Sequence, residues 1–199
     1  MENPEGKRDT HDIETYRIRS YECSPDGVVR FSHICNYLQE TASIHAEKLG
    51  FSKKNFEHLG LTWVLTRMRV HLDAYANWCE DIIILPYPRS MRKLVAYRDF
   101  LLSRSDGTPI GRATSEWMVI DLATRRASRL PEVVGDCANN VRPPVWTDEP
   151  FTKLTYPENP QEEIEHRFFV QHAHIDLNGH VNNVRYLEWI MECAPEVGS

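Results

Sequence analysis

Residues 31–50, FSHICNYLQETASIHAEKLG, decide the fold. Phe31, Ile34, Leu38, Ala42, His45 and Leu49 recur at three- and four-residue spacing, which lines them along one side of an α-helix. Gly50 follows at once, and glycine closes helices because it enters the left-handed region at little steric cost. The stretch predicts a helix over 31–49 whose apolar side another layer must cover.

Downstream the texture changes to strands. Leu61–Leu72, LTWVLTRMRVHL, alternates, with Trp63, Leu65, Arg67, Arg69 and His71 on one face and Val64, Met68, Val70 and Leu72 on the other. Strands at 81–88, 93–104 and 109–122 follow, the last two joined by the hairpin turn Ser105-Asp106-Gly107-Thr108. One helix followed by four antiparallel strands predicts an α+β unit in which a sheet wraps a helix. Upstream, 14–23 reads as a half-buried strand and Ser24-Pro25-Asp26-Gly27 as a turn. Residues 53–58 add a short helical turn and 131–137 a short helix. Residues 1–12 read as a flexible arm, so the first unit spans 13–140.

Residues 141–162 carry five prolines and no periodicity, the texture of a linker. Beyond them, 163–173 is strand-like, a turn follows at 176–179, and a helix runs from about 181 to 193. That order repeats 14–49. Tyr37-Leu38-Gln39-Glu40-Thr41-Ala42 echoes Tyr186-Leu187-Glu188 and Met191-Glu192-Cys193-Ala194, about 150 positions later. The reading is a duplicated module whose second copy, 163–199, holds a strand, turn and helix but no sheet. Its helix carries the stripe Val181, Val184, Leu187 and Met191, with Ile190 beside them, which must find cover elsewhere.

Composition narrows the function classes. The chain is 41% hydrophobic and 26% charged, ordinary for a folded domain, and its net charge of -6 argues against nucleic acid as the main partner. No stretch reaches the ~18 apolar residues of a membrane span, and the polar N-terminus lacks a signal-peptide core. A cytoplasmic protein with no membrane partner is expected. Five cysteines without metal-ligand spacing point to no disulfide framework and no metal. Charge is uneven, however: residues 89–129 hold nine basic side chains, Arg92, Lys93, Arg125 and Arg126 among them, against four acidic ones. An acidic partner could dock there.

The segment richest in chemistry is Asp176-Leu177-Asn178-Gly179-His180-Val181-Asn182-Asn183. Read as extended chain, it puts a carboxylate, an amide and an imidazole on one side, just before a helix N-terminus with its free N–H groups. Acyl transfer needs donors aimed at a developing oxyanion and a base near the nucleophile. The same residues also suit a plain turn and helix cap. Shifted by 150, the first copy has Asp26, Val28 and Arg30 at these places. The amide and imidazole are thus dispensable for the turn, which favours a functional role.

The run Asp176-Leu-Asn-Gly-His-Val-Asn-Asn-Val-Arg-Tyr-Leu-Glu-Trp-Ile resembles the signature of the plant and bacterial acyl-ACP thioesterases. Tyr37-Leu-Gln-Glu-Thr-Ala, Trp63-Val-Leu-Thr-Arg-Met-Arg-Val and Leu122-Ala-Thr-Arg-Arg-Ala-Ser-Arg-Leu-Pro resemble three further blocks of that family, in order, so the similarity covers about residues 13–195. It implies a tandem hot-dog fold with an incomplete second unit, and hydrolysis of fatty acyl-ACP without cofactor. Asp176, Asn178 and His180 match the catalytic residues. Trp63, Leu65 and Arg67 would lie on the acyl pocket, and Arg92, Lys93, Arg125 and Arg126 would meet an acidic carrier protein. A further catalytic Glu is expected on a strand after the second helix, past Ser199; Glu192-Cys193 is not given that role. A non-catalytic acyl or carrier-binding module, an acyl-CoA thioesterase or dehydratase, and a homodimer stay open.

Overall fold

The computed structural model describes residues 13–92, 94–129, 142–148, 151–152, 155 and 165–193. The strands are β1 (Glu14–Arg17), β2 (Leu61–Leu72), β3 (Asp81–Arg92), β4 (Val95–Arg104) and β5 (Pro109–Asp121). They form one antiparallel sheet in the order β1-β3-β4-β5-β2. The helices are α1 (Phe31–Lys48), α2 (Lys53–Glu57) and α3 (Asn183–Cys193). The sheet curls around α1, the expected hot-dog arrangement. Its main core joins Ile34, Leu38 and Ala42 of α1 to Ile82 and Ile84 of β3, Phe100 and Leu102 of β4, and Ile110 and Ala113 of β5. A second cluster, Leu49, Phe51, Phe56 and Val119, closes the C-terminal end of α1 and draws in Trp63 and Met91. The expected arm at 1–12 and short helix at 131–137 lie outside the described residues.

Two strands depart from the expected pattern. In β2 the register against β5 shifts between Leu65 and Arg67, a β-bulge at Thr66. Strict alternation therefore fails: Trp63 packs inward ahead of the bulge, and Met68, Val70 and Leu72 pack inward after it. Arg67 and His71 are exposed. The β3 strand holds Pro86 and Pro88, as expected, and runs on past the expected end at Pro88 to Arg92. Because β1 pairs only with Asp81–Ile84, β3 is an edge from Leu85 onward, and prolines are tolerated where no N–H is required. Near the start of β5, Gly111 sits opposite Leu72, where an added Cβ would stand 2.5 Å from the His71 carbonyl oxygen.

Residues 142–148, part of the expected linker, lie across the outer face of the sheet. Val145 N–H donates to the buried Asp99 carboxylate at 3.1 Å, and the Tyr87 hydroxyl donates to the Pro143 carbonyl at 3.1 Å. Trp146 lies between guanidinium groups, 3.7 Å from Arg69 and 4.6 Å from Arg112.

The internal repeat is structural, but its offset is 152, from Ser20 to His172 and from Phe31 to Asn183. Short 3-10 turns at Ser20–Glu22 and His172–His174 begin the two copies. Ser24 N–H donates to Val28 O, as Asp176 N–H does to His180 O, each at 2.8 Å. The Tyr16–Tyr37 stack, 4.5 Å between ring centres, recurs as Phe168–Trp189 at 5.3 Å. The 150-residue alignment is corrected accordingly: Ser24, Asp26 and Val28 are the partners of Asp176, Asn178 and His180. The expected strand at 163–173 is absent among the described residues, because β1 draws its hydrogen bonds from β3 and no strand runs beside 166–169. The stripe of α3 packs partly on α1, burying Val184. Ile190, the counterpart of fully buried Leu38, is left 64% exposed, and among the described residues no sheet covers this helix as one covers α1.

Candidate functional site

The chain brings the 176–180 turn to the C-terminal half of α1. The turn is tight rather than extended. Asp176 Oδ1 accepts from Asn178 N–H at 2.8 Å and from His180 N–H at 3.2 Å, and Gly179 N–H donates to the Asp176 carbonyl at 3.0 Å. Gly179 has φ +73°, a conformation that a side chain would strain, and Ile175 bridges to Val181. These bonds correct the one-sided extended reading. The N-terminus of α3 is capped by Asn182, whose Oδ1 accepts from Val184 N–H at 2.9 Å. The turn is tied to the first unit by Lys53, whose Nζ donates to the Leu177 carbonyl at 3.0 Å.

Beneath this junction lies a cavity of about 390 Å³, within the usual size range of small-molecule sites. Ala42 and Ala46 of α1, Trp63, Met91 and Trp117 form its apolar walls. The exposed Lys53, Lys54, Leu177 and Asn178 stand at its rim. Trp63 is fixed by its Nε1–H, which donates to the Phe51 carbonyl at 2.9 Å, and by a stack on Phe56 with ring centres 5.1 Å apart. One charged group enters the cavity from β4. Arg98 points the same way as Phe100 and Leu102, and its Nη1 donates to the Ala42 carbonyl of α1. Its Nε is buried without a hydrogen-bond partner, and no carboxylate among the described residues pairs with it. Desolvation lowers its pKa to about 10, which leaves it charged at neutral pH. Arg98 keeps a little accessible surface although protein surrounds it, because it lines the cavity.

Of the residues singled out in the sequence, the cavity brings together Asn178 and Trp63. The Asp176 carboxylate is engaged in the turn, and His180 is exposed and outside the lining. Leu65 and Arg67 also stand outside the lining; Arg67 lies 3.9 Å from Glu116. Arg125 and Arg126 are exposed in the turn after β5, Arg125 with φ +59°. They share a sheet end with Trp63, since Leu61 pairs with Asp121 and Trp63 with Val119. Lys93 and the side chain of Arg92 lie outside the described residues. The basic excess is not one patch: Arg104 pairs with Glu80, Arg112 holds Trp146 together with Arg69 from β2, and Arg98 faces the cavity. Lys53 and Arg98 escaped the sequence reading, as a lysine in a short helix and an arginine in a strand look like solvated charges. Among the described residues no three His, Cys, Asp or Glu side chains converge as a metal site, and no helix is long and apolar enough to cross a membrane.

Comparisons with known proteins bear on this geometry. Residues 10–137 match the acyl-ACP thioesterase N-terminal domain and residues 157–197 the acyl-ACP thioesterase C-terminal domain. The chain is 31% identical over 195 residues to a chloroplastic palmitoyl-acyl carrier protein thioesterase of Gossypium hirsutum, covering 92% of this chain and 46% of that one. It is 31% identical over 197 residues to an oleoyl-acyl carrier protein thioesterase of Arabidopsis thaliana, covering 92% and 54%. The chain thus spans about half the length of these relatives. Among solved structures, the 12:0-ACP thioesterase of Umbellularia californica superimposes with a TM-score of 0.81 at 25% identity, covering 96% of this chain and 78% of that one. An acyl-ACP thioesterase of Bacteroides thetaiotaomicron gives 0.80 at 25%, covering 92% and 73%.

Proposed function

Because the chain belongs to the acyl-ACP thioesterase family, we propose that it serves the hydrolysis of fatty acyl thioesters of acyl carrier protein, releasing a free fatty acid and the carrier thiol. The observation that carries the proposal is the cavity under the 176–180 turn: a chamber of about 390 Å³ with largely apolar walls and the amide-bearing Asn178 at its rim.

In this reading the acyl chain lies between α1 and the sheet, and the thioester carbonyl sits at the rim. The Asn178 amide N–H donates to the carbonyl oxygen as negative charge develops on it, an interaction generally worth about 10²–10³ in rate. His180 holds the attacking water, and Asp176 keeps both in place by bonding the turn's backbone. Water oxygen bonds to the carbonyl carbon, the C–S bond breaks, and the proton passes to the thiolate. The general base, a contribution of about 10²–10⁴, is assigned to the Glu that the family resemblance implies on a strand after the second helix. The carrier protein, being acidic, docks on Arg92, Lys93, Arg125 and Arg126, of which Arg125 and Arg126 are exposed at the sheet end that holds Trp63. Cytoplasmic residence also belongs to the proposal; the plant relatives are named as chloroplastic, and fractionation of the source cells decides it.

Steady-state release of thiol from acyl-ACP, measured beside acyl-CoA and with Asn178→Ala and His180→Ala, tests the reading. Activity on acyl-ACP that drops at least tenfold in both variants is expected. Rates equal to the parent chain would remove these side chains from the mechanism. A second reading, an acyl-binding module without turnover, is favoured by one observation: His180 is exposed and away from the cavity lining. Salt-sensitive carrier binding with no thiol release would decide for it.

A further inference from the structure

We infer that Arg98 is the floor of the acyl cavity and sets how long a plain hydrocarbon chain the protein accepts. The inference rests on the thioesterase reading and deepens it. Three observations carry it. First, Arg98 stands where the cavity meets solid core. Two residues further along the same face of β4 is Phe100, and one helical turn before Ala42 on α1 is Leu38, both fully buried in the main cluster. Beyond Arg98 there is protein, not space. Second, the floor is braced, because Nη1 donates to the Ala42 carbonyl and so ties β4 to α1. Third, among the described residues no carboxylate pairs with the guanidinium, and its buried Nε–H finds no acceptor.

A cation in that state is poorly matched by methylene groups. A chain that presses against it removes the remaining polar surroundings and offers no hydrogen bond in exchange. The last carbons of a plain chain are therefore rejected at Arg98, whereas an acceptor oxygen at the same depth is welcome. Length selection in this account comes from charge at the cavity's end rather than from apolar volume alone.

The full 199-residue chain is titrated with saturated fatty acids of increasing even length, which displace an environment-sensitive fluorescent fatty acid. Parent chain, Arg98→Met and Arg98→Lys are compared. Affinity should rise about fourfold per added methylene while the chain still enters apolar space, then stop rising at a definite length. Arg98→Met, of similar reach but uncharged, should move that break upward by at least one two-carbon step; Arg98→Lys should leave it in place. In the parent chain, a hydroxyl on the terminal carbon should restore tight binding at the first length beyond the break. A break unmoved in folded Arg98→Met overturns the inference. Should that variant not fold, absence of any gain from the terminal hydroxyl overturns it instead. If the parent chain binds no fatty acid at all, the thioesterase pocket itself is wrong and the floor falls with it. Binding with an unmoved break removes the floor alone.

Discussion

Trp63 joins the fold to the cavity, and two substitutions separate its contributions. Trp63→Phe keeps an aromatic ring to stack on Phe56 but deletes the Nε1–H that donates to the Phe51 carbonyl at 2.9 Å. A net hydrogen bond is worth about 1 kcal/mol, and water entering the cavity can re-satisfy the carbonyl, so the cost stays near that figure. Trp63→Leu loses the bond and also the stack, about 0.5–1.5 kcal/mol beyond burial. Loss of ring contacts at a half-buried site adds roughly 1 kcal/mol, below the full cost of a large-to-small change in a closed core. The expected totals are about 1 kcal/mol for Phe and about 3 kcal/mol for Leu. At roughly 2–4 °C per kcal/mol for a chain of this size, Tm should fall by about 2–4 °C and 6–12 °C respectively. Thermal unfolding followed by near-ultraviolet circular dichroism measures both, with fatty-acid titration alongside. Equal Tm losses for the two variants would show that the stack carries nothing. No loss in either would refute the inward packing of Trp63 that follows from the bulge at Thr66.

Two further outcomes follow from the packing. Gly111→Ala would place a Cβ 2.5 Å from the His71 carbonyl oxygen and 2.8 Å from Leu72 Cδ2, so β2 and β5 must separate; a loss of about 1–3 kcal/mol in urea unfolding is expected, and parent-like stability would contradict the close approach. Burial, opposed by Glu22 and Glu188 and assisted by Arg30 and Arg185, lowers the pKa of His33, so the native state favours the neutral ring and the unfolded chain binds more protons just below pH about 6.5. Stability should therefore drop as pH falls from 7 through that window, and His33→Gln should flatten the profile; an identical slope in the variant would discard His33 as its source.

Local pattern was enough for most of the elements, the strand expected at 163–173 excepted, and not for their faces. The three-and-four spacing from Phe31 to Leu49 and the turn Ser24–Gly27 each depend on neighbours within a few residues, so a helix preceded by a turn could be read directly. A strand's facing depends on its partner. The bulge at Thr66 exists only in the pairing with β5, and it undoes any alternation counted along β2 alone. Why β3 tolerates Pro86 and Pro88 is seen only from its pairing, since β1 stops at Ile84 of β3. At the site, Asp176, Asn178 and His180 were conspicuous as residue types, yet their separate fates were not legible. A carboxylate bonded to backbone N–H groups and an amide at a cavity rim differ only in three-dimensional surroundings.

By itself, then, the sequence determined the long helix, the antiparallel strand set, the existence of an internal repeat and the family resemblance, because each is written in spacing or in an ordered run of residues. Tertiary structure alone decided the 152-residue register of that repeat, the lay of 142–148 over the outer sheet face, the Lys53 tie to the second copy and the placing of Arg98 in the cavity. These depend on which distant segments share space. Long-range packing and desolvation set that, and neither leaves a periodic trace along the chain.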